Sequence, residues 1–156
     1  MQEKIIYPEK FAPENSPVFV RNEIHINASA EKIWFWLTNA TTWHEWYFNA
    51  SNVELINQQE KHLLSTTTFK WKTFGANLKT DVAEFVANER IAWIARGTGI
   101  LAYHAWLIIP RENGCTVLTE ETQHGLLCRL QKLFMPKRMY NYHQIWLEGL
   151  KKKCEE

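Results

Sequence analysis

Two apolar segments follow each other in residues 101–122, which read LAYHAWLIIPRENGCTVLTEET. Each segment is rich in β-branched and aromatic residues, a composition typical of strands. Residues 110–114 separate them with proline, asparagine and glycine, which favour a turn and leave no space for a helix. Strands joined this closely pair antiparallel, because parallel neighbours need a crossover of roughly a dozen or more residues. The stretch therefore predicts an antiparallel hairpin.

Strands of the same kind precede this hairpin. In residues 18–26 apolar and polar residues alternate, so that Val20, Ile24 and Ile26 share one face. Turn residues bound the other predicted strands, at residues 53–57, 63–74, 78–86 and 90–96. Since no helix separates consecutive strands from residue 53 to residue 122, we expect one antiparallel sheet of about seven strands.

Helical patterns stand on both sides of this strand-rich region. Ser29 is a good N-cap for a helix over residues 30–37, and residues 41–48 begin a second short helix with a threonine cap. After Gly125 apolar residues recur at three- and four-residue steps, which predicts a long C-terminal helix that Pro136 kinks or splits. Its apolar positions are Leu126, Leu130, Leu133, Phe134, Tyr140, His143, Leu147 and Leu150.

The expected architecture is α+β. An antiparallel sheet can bury one long helix only by curling around it, and a curled sheet leaves a gap between itself and the helix. Residues 1–17 mix prolines, glutamates and asparagine without a period and are expected to form an irregular lead-in. Residues 18–156 then form a single domain of ordinary size.

The composition excludes several classes of function. A net charge of +1 and a charged fraction of 22% provide no broad field for gathering nucleic acid. No run approaches the roughly 18 apolar residues of a membrane span, so no stable membrane insertion is expected. Three widely separated cysteines and the lack of a signal-peptide pattern predict reduced thiols and a cytoplasmic location. Eight Trp, eight Phe and five Tyr are more rings than a core needs for filling; we expect most of them to pack the interior, and the excess suggests an apolar or planar ligand.

Several motifs resemble one known superfamily. They are IHINASAEKIW at residues 24–34, WHEWY at 43–47, FKWKTFG at 69–75, HAW at 104–106, EET at 120–122 and WLEGLK at 146–151. With these motifs the chain resembles the START-like helix-grip superfamily (SRPBCC), in the branch of polyketide cyclases, dehydrases and lipid transport proteins. The resemblance implies a helix-grip fold with an internal cavity. The superfamily includes carriers, hormone receptors, cyclases and chaperone activators, so the resemblance implies no particular reaction.

Alternation along the late strands predicts which side chains face the helix and line the gap. The predicted lining consists of Phe69, Trp71, Trp93, Ala95, His104, Trp106, Ile108, Val117, Thr119 and Glu121 from strands, and Met139, Tyr140, His143 and Leu147 from the helix. An apolar wall with a few convergent polar groups is typical of small-molecule sites. We therefore expect the chain to bind or carry a small hydrophobic or aromatic molecule, with residues 97–100 as a gate.

Two alternatives remain open at this stage. In the first, Glu121 and His104 act as general acid and base in a cyclase or dehydratase, with desolvation raising the pKa of Glu121. A strand glutamate beside a histidine is, however, more often a structural hydrogen-bonded pair. In the second, the chain is a protein-interaction module like the chaperone activators of the superfamily.

No cofactor or metal is expected from local motifs. His44 and Glu45 lack the second histidine of a zinc-protease helix, because Phe48 occupies that position. Gly97 and Gly99 lack the third glycine of a dinucleotide loop. The expected partner is a small apolar molecule only.

Overall fold

Seven strands form one antiparallel sheet in the computed structural model, which describes residues 3–156. They are β1 (Val18–Ile26), β2 (Ser51–Ile56), β3 (Thr68–Thr73), β4 (Ala76–Val86), β5 (Arg90–Gly97), β6 (Ile100–Arg111) and β7 (Gly114–His124). Their order in space is β1-β7-β6-β5-β4-β3-β2, and every neighbouring pair is antiparallel. The predicted fold class, a curved antiparallel sheet with a C-terminal helix, is confirmed.

Helix α1 (Ala30–Thr38) follows β1 directly. It begins where predicted, because the side chain of Ser29 accepts a hydrogen bond from the backbone N–H of Lys32. The second short helix is a 3-10 helix, Ala40–Glu45, and is shorter than the predicted residues 41–48. Its buried Trp43 donates a hydrogen bond to the carbonyl of Leu37 and so fixes the turn against α1.

The C-terminal helix is split in two, α2 (Leu126–Phe134) and α3 (Arg138–Glu155), with Pro136 in the break. Proline cannot donate a backbone hydrogen bond, so the predicted interruption occurs. The sequence pattern assigned α2 and α3 to one apolar stripe, and this assignment is wrong for α2. Leu126, Leu133 and Phe134 are 69%, 70% and 74% exposed, because the break turns the leucine face of α2 toward solvent.

Aromatic rings fill the middle of the interior. The indole of Trp146, on α3, lies at their centre, with its ring centroid 5.1 Å from that of Trp43 and 5.0 Å from that of Trp106. Tyr47 stacks on the same indole at 4.6 Å. Open space between sheet and helices is therefore confined to the part of the interior that these rings do not reach.

The lead-in packs on the outer face of the sheet. Phe11 is buried and stacks on Tyr103 with ring centroids 5.4 Å apart. The hydroxyl of Tyr103 donates to the carbonyl of Ile6, and that of Thr122 donates to the carbonyl of Phe11. Strands β6 and β7 are consequently covered on both faces, which explains why side chains pointing away from α3 are also buried.

None of the helices in residues 3–156 has an apolar stretch long enough to cross a bilayer.

Candidate ligand cavity

A cavity of about 100 Å³ remains between the sheet and the two C-terminal helices. Most of its wall is apolar, with the rings of Trp71, Trp93 and Trp146 on one side and Met135 and Met139 on the other. An apolar cavity of about 150 Å³ binds benzene, so this smaller space holds less than a whole benzene ring without rearrangement. A larger ligand requires part of the wall to move.

Seven of the predicted lining residues are on this wall: Trp71, Trp93, Ala95, His104, Glu121, Met139 and His143. Strand pairing explains the grouping. His104 lies directly opposite Trp93 on one side and Glu121 on the other, so the three residues form one row across β5, β6 and β7. Side chains in such a row point to the same face of the sheet.

The other expected lining residues do not reach the cavity. Phe69, Trp106, Ile108, Val117, Thr119 and Leu147 are buried in the surrounding core, separate from the cavity wall. Tyr140 was expected on the wall and is instead 49% exposed, outside it. It follows Met139 directly, and one residue turns an α-helix by about 100°, so the two side chains point in different directions.

Sequence reasoning missed the side of the cavity that α2 provides. Cys128, Gln131, Lys132 and Met135 line it at three- and four-residue spacing. This stripe lies opposite the leucine face of the same helix. This spacing is visible in the sequence, but the stronger leucine pattern on the same helix obscured it.

The predicted gate, residues 97–100, contacts the beginning of α2. The carbonyl of Gly99 accepts a hydrogen bond from the backbone N–H of Leu127 at 3.1 Å. A Cβ on Gly125 would lie 2.3 Å from that carbonyl oxygen, so this close approach requires glycine. Ile100 lines the cavity. The segment 97–100 therefore forms part of the cavity wall and also holds the beginning of α2 through the Leu127–Gly99 hydrogen bond.

Three polar side chains from different elements meet on the cavity wall: His104 from β6, Glu121 from β7 and His143 from α3. All three are almost completely buried. Glu121 Oε2 lies 3.2 Å from His104 Nδ1 and 3.0 Å from His143 Nε2. The two imidazole rings stack with centroids 4.7 Å apart and planes at 15°.

Neighbouring polar groups hold two of these side chains in place. The hydroxyl of Thr119 donates to the carbonyl of Ala105 at 3.2 Å, so it accepts a hydrogen bond at 2.8 Å from His104 Nε2. The N–H of a neutral His104 is therefore on Nε2, and its Nδ1 lone pair faces Glu121. Gln123 Nε2 donates to Glu121 Oε1 at 2.6 Å.

His143 is less well satisfied. Its Nε2 is close to Glu121, but neither ring nitrogen makes a well-directed hydrogen bond. A buried polar group without a partner is uncommon and calls for an explanation. Two imidazole nitrogens and one carboxylate oxygen, all within 4.8 Å of one another, are also atoms that can hold a divalent metal ion.

Burial and charge act on the cluster in opposite directions. Desolvation favours the neutral imidazole and lowers the pKa of His104 well below its ordinary value. Burial acts to raise the pKa of Glu121, but His104, His143 and the hydrogen bond from Gln123 favour the carboxylate and leave the pKa below its ordinary value. Desolvation therefore acts as expected, but the expected net rise in the pKa of this carboxyl does not occur, because its partners outweigh burial.

The curved sheet, the C-terminal helices and the apolar cavity between them define a helix-grip protein with a small-molecule cavity. The chain belongs to the family described as polyketide cyclase / dehydrase and lipid transport, whose model matches residues 17–155. The resemblance to START-like proteins is confirmed. Family membership supports binding of a hydrophobic ligand or its cyclisation, without specifying which.

Solved structures share the fold. A hypothetical protein of Helicobacter pylori, jhp0584, is 29% identical with a TM-score of 0.91, over 99% of this chain and 98% of that one. A START superfamily protein of Mycobacterium smegmatis is 14% identical with a TM-score of 0.70, over 88% of this chain and 97% of that one.

An aromatase/cyclase shows the same fold in part of its length. The di-domain ARO/CYC BexL from the BE-7585A biosynthetic pathway is 17% identical with a TM-score of 0.71, over 94% of this chain and 52% of that one. At this identity the likeness concerns the fold alone. No curated protein matches the chain.

Proposed function

We propose that the chain binds a small, largely apolar molecule that carries one polar group. The apolar wall excludes water from the body of the ligand, and burial of apolar surface drives such binding. The polar group is recognised by the cluster of His104, Glu121 and His143. The observation that carries the proposal is the buried His143 ring, which lines an apolar cavity and lacks well-directed hydrogen bonds.

Access to the cavity is proposed between α2 and the turn at residues 97–100. The single backbone hydrogen bond from Leu127 to Gly99 and a few side-chain contacts join these segments. Elsewhere the wall includes Met135 and Met139, whose flexible side chains adapt to ligands of different shape. Separation of α2 from the turn enlarges the cavity beyond one ring.

Native mass spectrometry of gently purified protein tests this function, together with quenching of tryptophan fluorescence by a panel of substituted phenols and naphthols. Ala102 lines the cavity, and Ala102→Leu fills much of it with three additional heavy atoms. We expect this change to weaken binding about tenfold or more, equivalent to about 1.4 kcal/mol. Ala83→Leu, at an exposed position of β4, is the matched control and should bind normally. A panel that never binds, or equal binding by Ala102→Leu, would contradict the proposal.

A second candidate is a cyclase or dehydratase that uses Glu121 and His104. The observation in its favour is their 3.2 Å contact on the wall of the cavity, where a bound substrate would meet both groups. Under this proposal Glu121→Gln retains ligand binding and abolishes turnover of a polyketone substrate. A wild-type protein that binds such a compound and returns it unchanged supports the carrier function.

A further inference from the structure

We propose that His104, Glu121 and His143 form a binding site for one divalent first-row transition metal ion, with Zn²⁺ as the preferred candidate. The three side chains come from β6, β7 and α3 and converge on one point of the cavity wall. Two neutral imidazoles and one carboxylate are a common ligand set for Zn²⁺ and for Fe²⁺. No local sequence motif indicates this site, because its three ligands lie on three different secondary-structure elements.

The distances suit such an ion. Metal–ligand bonds of about 2.0–2.2 Å place tetrahedral ligands roughly 3.3 Å from one another. Glu121 Oε2 is 3.2 Å from one imidazole nitrogen and 3.0 Å from the other. The nearly parallel stack of the two rings means that ion binding must turn at least one imidazole, and His143 is the ring that no well-directed hydrogen bond restrains.

The electrostatics of the cluster favour a positive centre. His104 Nδ1 and Glu121 Oε2 both present lone pairs, because the hydrogen bond to Thr119 places the imidazole proton on Nε2. Among residues 3–156 the ion-pair partners of Glu121 are the two histidines, with no lysine or arginine among them. A metal ion satisfies the carboxylate and both facing nitrogens together.

The surroundings match those of metal ligands elsewhere. A ligating histidine usually donates its second N–H to a nearby acceptor, which fixes its orientation, and Thr119 is that acceptor for His104. Gln123 donates to Oε1 and leaves Oε2 of Glu121 for the ion. Since all three ligands line the cavity, the open coordination position faces the bound molecule. The ion would then hold the ligand's polar group.

Titration of chelator-treated protein with Co²⁺ and Zn²⁺ tests the site. We expect one ion per chain and a visible Co²⁺ absorption typical of a low-coordinate nitrogen and oxygen site, displaced by Zn²⁺. Thr119→Val should weaken binding roughly 10–100-fold, as loss of an outer-shell partner does, and Glu121→Gln and His143→Gln should weaken it more. His44→Gln, at an exposed histidine, is the control and should bind normally.

Tryptophan fluorescence and the unfolding midpoint without metal establish that each variant is folded. The proposal is overturned if folded wild-type protein binds no ion, or if Glu121→Gln and His143→Gln bind as well as wild type. Absence of the ion together with normal binding of the phenol panel would refute the metal site and leave the ligand-binding function intact.

A separate observation concerns the outer surface of α2, from which we infer a docking surface for an anionic lipid bilayer. Its apolar face, formed by Leu126, Leu130, Leu133 and Phe134, points away from the protein, while Cys128 and Met135 face the cavity. An amphipathic helix normally turns its apolar face toward the core. A contiguous exposed apolar surface of this kind marks an interaction site.

The charges beside this face select the partner. Arg129 and Lys137 are exposed in the same segment, and no acidic residue occurs between Glu121 and Glu148. Apolar side chains beside lysine and arginine are typical of helices that lie in the surface of anionic membranes. A second copy of the chain docking by the same face would bring these cations together. The small net charge of the whole chain conceals this local concentration.

Sedimentation with vesicles of phosphatidylcholine, with or without phosphatidylglycerol, tests the surface. We expect binding only to vesicles that contain phosphatidylglycerol, weakened by high salt because surface charges are screened. The double change Leu133→Ser and Phe134→Ser should abolish it, whereas Phe35→Ser, an exposed phenylalanine of α1, should not. No binding to either vesicle, or a dimer in light scattering that the double change dissociates, would overturn the inference.

Discussion

Gly125 and Gly99 approach so closely that a Cβ on Gly125 would lie 2.3 Å from the carbonyl oxygen of Gly99. Gly125 also has a φ of 113° and a ψ of 160°, a backbone conformation open essentially to glycine alone. The contact joins the turn after β5 to the N-cap residue of α2. The close attachment of α2 to this turn therefore depends on two residues that have no side chain.

Gly125→Ala is expected to lower the free energy of unfolding by more than about 2 kcal/mol, because backbone strain and a steric clash act together. Gly75→Ala separates the two effects. Gly75 has a φ of 80° but nothing within 4 Å of an added Cβ, so only strain of about 1–2 kcal/mol is expected. Denaturant unfolding of both variants measures the difference. Equal losses would show that the contact with Gly99 is unimportant.

Trp146 limits the size of the cavity, and Trp146→Phe is expected to enlarge it. The change should lower stability by less than the roughly 3–5 kcal/mol of a tryptophan-to-alanine change and strengthen binding of two-ring compounds relative to wild type. Trp106→Phe is the matched control, since Trp106 is equally buried but does not line the cavity. Its stability should fall similarly without any change in ligand size. Identical ligand preferences in the two variants would count against this role for Trp146.

Phe11 anchors the lead-in on the outer face of the sheet, so Phe11→Ala is expected to cost about 3–5 kcal/mol of stability. Phe19→Ala, at a largely exposed position on β1, should cost much less. Thermal and denaturant unfolding measure both. Ligand affinity of folded Phe11→Ala should equal that of wild type, because Phe11 is on the opposite side of the sheet from the cavity. A change in affinity would indicate that the two faces are coupled.

Cys128 is expected to react slowly with iodoacetamide. Burial raises the pKa of its thiol to about 11 and that of Cys154 to about 12, so the reactive thiolate is scarce at neutral pH. The rate at Cys128 should rise as pH increases from 8 toward 11. Bound ligand should slow the reaction at Cys128, which lines the cavity, and leave Cys154 as an internal reference. Mass spectrometry of the labelled peptides checks both expectations, and equal protection of the two thiols would contradict them.

Much of the fold could be predicted because turn residues follow each strand in regular succession. Alternation along the strands predicted that His104, Glu121 and Trp93 share one face of the sheet, since a strand's side chains point strictly alternately to its two sides. The pairing of His104 with Glu121 across β6 and β7 follows from the short turn between these strands. Local patterns were sufficient wherever the geometry is determined by neighbouring residues.

The rest depends on contacts between distant segments. The bend at Pro136 determines which face of α2 meets the protein, and no periodicity specifies the direction of a bend. Isolated apolar residues such as Phe11 have no recurring pattern, so only packing against Tyr103 reveals their place. Periodicity predicts that this part of the helix faces inward, but not how far the indole ring of Trp146 extends into the interior. The size of the cavity could not be predicted for that reason.

The indole cluster has an optical consequence. The rings of Trp43, Trp71, Trp93 and Trp106 lie with centroids 5.0–6.3 Å from that of Trp146. Transition dipoles this close couple, so the protein should show an exciton couplet in its circular dichroism instead of independent tryptophan bands. Three of these five indoles line the cavity. A bound ligand should therefore alter the couplet, so the spectrum reports ligand binding without an added dye.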